Sequence, residues 1–389
     1  MLFLPFLLAG FDSASAFSLS RSHCTSAELF RASTPLQRFS SALYVATDRE
    51  IPVEQVDDAE FGVASTPTKQ FDWNKQWYPL AIDEFTDRSR AHALMFLGNN
   101  VVLWHDKTKW NVFEDACPHR GVPLSEGRVE SNGELLCSYH AWTFNGEGEC
   151  TSIPQTISKE KEASLLPKAC AHVYPTQERQ GLIWVWGLKG APGSDVAIEA
   201  ALKSPHLIDE LEDPALKGKF IMQPWNFRDR TFGWDFLMEN TFDPAHVPVA
   251  HSSKGSRYTG TKPLTMKRVP SSTEIPVHLG GRMLPGFEED AGFKYEVQSV
   301  RDQKLLLNLT LEFRPPALLE SHTSGGRIVN YNYNVPTRPG FCRVVATALH
   351  FRDENGKLAK FIKPLENMAP WKFHTVAGKF LVISSVAYD

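Results

Sequence analysis

Two short motifs, Cys117-Pro118-His119 and Cys137-Ser138-Tyr139-His140, constrain this chain more than any other feature. Each offers one thiolate and one imidazole. A structural zinc site of mixed type usually draws its sulfurs from one C-x-x-C knuckle and its imidazoles from another segment. Here both knuckles are mixed. That pattern suits a two-iron cluster in which Cys117 and Cys137 hold one iron and His119 and His140 hold the other. Imidazole brings less negative charge than thiolate, so such a cluster sits at a higher potential than an all-cysteine one and can accept electrons from it. On the residues alone, a zinc knuckle is the alternative.

The flanks extend the pattern. Cys117-Pro-His-Arg-Gly121 and Cys137-Ser-Tyr-His-Ala-Trp142 resemble the two cluster-binding loops of Rieske [2Fe–2S] proteins. Pro118 stiffens the first loop, and Gly121 permits close backbone approach.

With 389 residues the chain has room for two or three domains. A net charge of −4 gives no basis for a nucleic-acid partner. The 10 Trp and 25 Phe suggest a large aromatic interior or pocket. Beyond the two cluster cysteines, Cys24, Cys150, Cys170 and Cys342 show no short paired spacing. They read as free thiols in a reducing compartment.

Residues 1–48 read as a targeting presequence. Leu2 to Phe11 is an apolar run too short to span a bilayer, followed by small residues Ala14-Ser15-Ala16. Residues 17–48 are Ser-rich and poor in acids, as a transit peptide is. The Ala14-Ser-Ala-Phe17 junction resembles the bipartite presequence of algae with complex plastids. Residues 49–72 read as an acidic linker. From 73 to 190, short β-type runs at 93–97, 101–105, 110–115 and 181–186 alternate with turn signals at Gly98-Asn99-Asn100, Ser131-Asn132-Gly133 and Asn145-Gly146. They predict a small antiparallel β domain that carries the cluster loops.

A second domain, 191–389, follows a polar connection with a helical-looking stretch at Asp209 to Asp213. Its β runs are 293–300, 304–313, 327–335 and 342–351, and a helix is expected from Lys357 onward. Val329, Tyr331, Tyr333 and Val335 alternate with Asn330, Asn332 and Asn334, and Leu307, Leu309, Leu311 and Phe313 with Asn308, Thr310 and Glu312. Both patterns predict a half-solvated antiparallel sheet with the apolar set inward. The fold class expected is α+β, with no transmembrane span. Residues 252–289 show no period and read as a long loop, a candidate pocket lid whose Lys254, Arg257, Lys262, Lys267 or Arg268 would meet substrate carboxylates. Arg228, Asp229 and Arg230 read as a solvated or ion-paired turn.

The second candidate site is Asn240-Thr-Phe-Asp243-Pro-Ala-His246-Val-Pro248-Val-Ala-His251. Asp243 and His246, three apart, share a face if helical. His251 would turn off that face on an unbroken helix, but Pro248 would break it. Two imidazoles and a carboxylate with open positions make the facial triad of non-haem Fe(II) oxygenases.

Asp-x-x-His-x4-His is similar to the mononuclear iron motif of Rieske non-haem iron oxygenases. With Asn240 in front, and with Phe71-Asp-Trp-Asn-Lys-Gln-Trp-Tyr-Pro79 and Tyr174-Pro-Thr-Gln-Glu-Arg-Gln-Gly181, the chain resembles the pheophorbide a oxygenase group, which includes chlorophyllide a oxygenase and Rieske proteins of the plastid import translocon. The resemblance covers roughly residues 70 to 375. It implies that His246 and His251 bind mononuclear Fe(II), with Asn240 beside them. It implies that Asp243 bridges electronically to His119 or His140 of a neighbouring subunit in a head-to-tail trimer. It further implies reduced ferredoxin as donor, O2 as oxidant, a chlorophyll-type tetrapyrrole as substrate, a plastid location and peripheral membrane association. The group also leaves open a redox component of the translocon without oxygenation, and the wider superfamily a smaller substrate.

The residues do not place a third, carboxylate ligand. Asp353 and Glu354 fall in an expected turn, Asp353-Glu-Asn-Gly356, and Glu366 and Asp389 are the other late acids. Related proteins continue further, which suggests that the sequence is truncated at its C-terminus.

Overall fold

The computed structural model describes residues 71–246, 265–269, 292–301, 304–323 and 326–358. The presequence, nearly all of the acidic linker, Cys24, His251, Lys254, Arg257, Lys262, Glu366, Asp389 and nearly all of the helix expected from Lys357 lie outside these residues.

The N-terminal half begins with β1 (Trp77–Ile82), β2 (His92–Phe96), β3 (Asn99–His105) and β4 (Trp110–Glu114). Four short strands follow: β5 (Arg128–Val129), β6 (Leu135–Leu136), β7 (Thr143–Phe144) and β8 (Cys150–Ser152). After helix α1 (Lys159–Leu165) come β9 (Val173–Tyr174), β10 (Thr176–Arg179) and β11 (Leu182–Trp186). They pair as antiparallel sheets in the orders β2-β3-β4-β9, β5-β6-β7-β8 and β1-β11-β10. Strand β11 is wholly buried, as a continuous Leu-Ile-Trp-Val-Trp run in the middle of a sheet should be. Pro79 is tolerated because β1 is an edge strand.

The second half contains α2 (Asp195–Leu202), α3 (Asp209–Glu212), β12 (Phe220–Met222), β13 (Asn226–Arg230) and α4 (Trp234–Phe242). Strands β14 (Thr265–Val269), β15 (Phe293–Arg301), β16 (Lys304–Arg314), β17 (Leu318–Thr323), β18 (Ile328–Arg338) and β19 (Phe341–Phe351) complete it. One antiparallel sheet runs β12-β19-β18-β17-β16-β15-β14, with β13 also paired to β19. The α+β class holds. Strand β14 lies inside the stretch read as a structureless loop, and exposed Lys267 lies on it. Arg228, Asp229 and Arg230 lie on β13 rather than a turn, and the Asp229 carboxylate takes both a 2.6 Å and a 2.9 Å bond from Arg343.

The sheet does not have one apolar and one wet face. Directly paired antiparallel residues share a face. Tyr331 pairs with Glu320, and Glu320 with Glu312. Asn330 pairs with Ser321, and Ser321 with Leu311. The two alternating patterns therefore point to opposite sides. Tyr331 and Tyr333 face the N-terminal half, where Tyr333 meets Trp184 edge-on at 5.2 Å. Leu311 and Phe313 face the other way, beneath α4. Asn330 and Asn334 are buried too, at 8% and 2% exposed, because α4 covers their side and Asn334 Nδ2 lies 3.3 Å from Met238 Sδ.

On the N-terminal-facing side lies a buried ion network. Arg314 bonds Glu320 at 3.0 Å, Lys294 meets Glu312 at 3.2 Å, and His322 lies 3.3 Å from Glu320. The hairpin between β2 and β3 clips the two halves together. Its turn residues Leu97 and Gly98 are both left-handed (φ 47° and 80°), as a two-residue hairpin turn requires. Their N–H groups donate to the carbonyls of Pro336 and Thr337 at the end of β18.

Candidate metal centres

The two knuckles are built to the same plan. The first leaves β4; Cys117 N donates to Val122 O at 2.8 Å, and Gly121 N donates back to Cys117 O at 2.8 Å. The second leaves β6; Cys137 N donates to Trp142 O at 2.8 Å, and Ala141 N donates to Cys137 O at 3.0 Å. Each loop turns through a left-handed residue four positions after its cysteine, Gly121 at φ 70° and Ala141 at φ 55°. Glycine adopts that conformation freely and alanine does not. Asp115 ties the first loop by accepting from Ser125 N and Oγ, and Gln155 Nε2 ties the second by donating to His140 O at 2.8 Å.

This symmetry pairs the predicted ligands, thiol beside thiol and ring beside ring. Cys117 and Cys137 are 3% and 1% exposed, are free, and share one apolar core with Trp104, Phe113 and Leu124. The rings of His119 and His140 lie 4.6 Å apart. Both Nδ1 atoms are buried without a hydrogen-bond partner. Two orphaned ring nitrogens and two buried thiols are the donor set that a Rieske [2Fe–2S] cluster needs. Burial raises the Cys117 thiol to about 11, and a coordinating metal is what deprotonates such a thiol. Burial, then the neighbouring His140 and Arg120, push the His119 pKa down, which favours the neutral imidazole that ligates. Among the described residues no three His, Cys, Asp or Glu side chains converge on one ion.

Sequence reasoning missed the packing around these loops. The Trp142 indole lies parallel to the His119 ring, 4.4 Å between centroids and 3° between planes. The Trp at the end of the second motif was the available signal. Of the cysteines read as free thiols, Cys150 and Cys342 are free and buried. Cys170 is disulfide-bonded, so that reading is corrected for it.

The second site is only partly described. Helix α4 ends at Phe242, and Asp243 is its C-cap, so Asp243 and His246 do not share a helix face as expected. Pro244, not Pro248, stops the helix, since proline disfavours helical conformation in the residue before it. Asp243 and His246 are nonetheless brought together by the turn. His246 Nδ1 bonds the Asp243 carbonyl and lies 3.8 Å from its carboxylate, which also accepts from Ala245 N at 2.9 Å. Asp243 is exposed, and Asn240 is half-buried in the last turn of α4. The helix is held over the sheet by Trp234 against Phe313 and by Phe242 against Phe293 at 4.6 Å and Tyr295. Asp353 Oδ1 is occupied by the N–H groups of Asn355 and Lys357, the expected turn, which argues against it as the third ligand.

Comparison with known proteins agrees with this geometry. Residues 76–169 match the Rieske [2Fe-2S] domain. Over 239 residues the chain is 37% identical to the chloroplastic pheophorbide a oxygenase of Arabidopsis thaliana, a match covering 59% of this chain and 43% of the relative. Over 185 residues it is 39% identical to the chloroplastic flavonoid 8-hydroxylase 2 of Ocimum basilicum, covering 47% of this chain and 34% of that one. The matched part thus spans less than half the length of either relative. Among solved structures, dicamba monooxygenase bound to dicamba superposes with a TM-score of 0.52 at 17% identity, covering 72% of this chain and 78% of that one, which shows a shared fold. The twin cluster loops and the matched domain make residues 76–169 a Rieske [2Fe–2S] domain, in a chain similar over part of its length to chloroplastic pheophorbide a oxygenase and flavonoid 8-hydroxylase.

Proposed function

We propose that this chain is a ferredoxin-dependent oxygenase that inserts oxygen from O2 into a chlorophyll-type tetrapyrrole. The observation that carries the reading is the co-occurrence of a four-donor cluster site with an Asp243–His246 turn poised at the end of a helix over an aromatic sheet face. When bound, the cluster supplies single electrons and a mononuclear iron supplies dioxygen activation, chemistry that organic side chains lack. His246, with His251, would hold the iron. Cys117, Cys137, His119 and His140 would hold the cluster.

The protein's own residues do the remaining work. The exposed Asp243 carboxylate would meet a cluster histidine of a neighbouring subunit and fix its imidazole orientation. The cluster tip is accessible as well, with Tyr139 61% exposed beside His140, so both halves of such a contact reach solvent in the single chain. A head-to-tail trimer would close that contact. Half-buried Phe242 and Phe293 would offer apolar wall to a flat pigment. The relatives' chloroplastic names support a plastid location, and the presequence 1–48 would suit a complex plastid. No helix among the described residues is long and apolar enough to cross a membrane, and peripheral association fits an apolar substrate.

The test is turnover. The mature protein with its metals loaded is given reduced ferredoxin, isotopically labelled O2, and pheophorbide a, chlorophyllide a, a flavonoid or a smaller aromatic acid in turn. Label entering a tetrapyrrole supports the reading. Label entering only the flavonoid or smaller acid, or none with every metal site filled, overturns it.

A further inference from the structure

Where the two halves of the chain meet, a cavity of about 980 Å³ opens to solvent. Four short segments wall it: residues 71–74 before β1, the β2–β3 turn at Leu97 and Gly98, the start of α4 at 233–235, and the β18–β19 turn at 336–341. The two turns are tied to each other, since Leu97 N donates to Pro336 O at 3.2 Å and Gly98 N to Thr337 O at 2.7 Å. A space this large exceeds the gaps that close packing leaves and lies at the upper end of ligand-binding cavities. Neither Asp243 nor His246 lines it. The nine residues of α4 stand between its start, at the cavity, and the candidate iron turn at its end. At 1.5 Å per residue that is on the order of 12 Å of helix.

The lining is aromatic and carries one uncommitted cation. Trp73 meets Phe71 edge-on at 5.0 Å and Trp234 edge-on at 5.3 Å, so the three rings brace one another as a single apolar wall. Trp73 remains 40% exposed, which leaves indole surface for a ligand to cover. On the β18–β19 turn the Arg338 guanidinium lies 3.8 Å from the centre of the Phe341 ring. Stacking covers one face of the guanidinium and leaves the N–H fork at its edge. Among the described residues no carboxylate pairs with Arg338. The two acids of the lining are turned to the backbone instead. Asp72 Oδ1 accepts from Asn74 N at 3.0 Å. Asp235 Oδ1 folds back on Gly233, where a Cβ would meet it at 2.2 Å, and so sits at the positive end of α4. Arg338 is the charge left to meet a ligand.

We propose that this cavity is a second binding site for the pigment in its free-acid form, with the conjugated ring against Trp73 and Trp234 and the carboxylate on the Arg338 fork. The inference rests on the tetrapyrrole reading above, since pheophorbide a and chlorophyllide a are flat conjugated acids, and it adds a site which that reading does not use. A charge-assisted pair between guanidinium and carboxylate selects the acid over an ester of the same ring. The site holds a poorly soluble pigment one helix length from the iron turn.

The experiment is hydrogen–deuterium exchange of the full metal-loaded protein, read by mass spectrometry while pheophorbide a or its methyl ester is titrated in. The acid is expected to slow exchange at 71–74 and 336–341 as well as at the end of α4. The ester is expected to need about tenfold more pigment to protect 71–74 and 336–341, because it forgoes the charged pair. Arg338→Gln is expected to weaken the acid there about tenfold and to make acid and ester alike. Arg338 is exposed, and unchanged cluster absorption reports intact folding of the variant. Protection at 71–74 and 336–341 without protection at the end of α4 upholds the second site and removes the pigment from the iron turn. Protection at the end of α4 alone overturns the second site and leaves the oxygenase reading standing. Protection at neither overturns both. Acid and ester that protect 71–74 and 336–341 equally in wild type, or acid that binds Arg338→Gln as tightly as wild type, overturn the proposal as well.

Discussion

The two candidate metal regions of this molecule are built on opposite principles. The cluster site is local: two loops, each closed by its own pair of backbone hydrogen bonds, present four donors from residues 117 to 140. The site at the end of α4 is assembled from distance, with a helix at 234–242 packed on strands from 293 to 351. A local site carries its geometry in its own sequence. An assembled one depends on register, and register shows only in the fold.

The sharpest break between the two comes from removing one donor from each. Cys117→Ser is expected to abolish the cluster, leaving protein without its iron–sulfur absorption and without turnover. His246→Ala is expected to keep the cluster absorption intact and still abolish turnover. Absorption spectra and labelled-oxygen assays on both variants check this. If His246→Ala turns over normally, the α4 site is not part of the reaction.

The next effect falls on the assembled half alone. Removing Arg314, as Arg314→Met, leaves Glu320 buried beside Glu312 with its main counter-charge gone. A cost of about 3–5 kcal/mol in unfolding free energy is expected. Denaturant titration checks it, and a change below about 1 kcal/mol would show that the network relaxes without loss.

Legibility followed the same division. The cluster ligands, the antiparallel strands β2 to β4 and the long strands β15, β16, β18 and β19 could be read because their signals are short-range. Strand β17, Leu-Leu-Glu-Ser-His-Thr, has no alternation and was missed. The alternations of β16 and β18 were each read correctly, yet both apolar sets were assigned to one core. Only the pairing through Ser321 and Glu320 shows that Leu311 keeps company with Asn330 and Glu312 with Tyr331. Glu312 and Glu320 are buried because their counter-ions come from other strands, which no window along the chain can display. The Asp243 turn was misread as helix because the expectation placed the break at Pro248 rather than at Pro244.

A pH titration probes the assembled half at intermediate size. The His350 pKa is about 4 in the folded protein against an ordinary value near 6.5. A depressed histidine binds its proton more readily in the unfolded chain, so its stabilising contribution is full above about pH 6.5 and fades as pH falls towards 4. The loss is on the order of 2–3 kcal/mol, and His350→Phe is expected to flatten that part of the stability–pH curve. An unchanged slope would mean the ring is not protected from water as its burial implies.

The smallest effect compares the two knuckles with each other. Gly121 and Ala141 occupy equivalent left-handed positions, and a side chain at Gly121 would meet nothing within 4 Å. Ala141→Gly is expected to stabilise the protein by about 1 kcal/mol, and Gly121→Ala to destabilise it by about 1–2 kcal/mol, both with cluster absorption retained. Thermal melts of the two variants check it; equal shifts of the same sign would break the equivalence of the loops.

The most direct test of the whole account is Mössbauer spectroscopy on iron-57-loaded, reduced protein. The account predicts an asymmetric iron–sulfur pair, one iron with sulfur ligands and one with nitrogen ligands, plus a separate high-spin ferrous signal that disappears in His246→Ala while the pair remains. Knuckles that take up zinc in place of iron, or a ferrous signal untouched by that substitution, would contradict it.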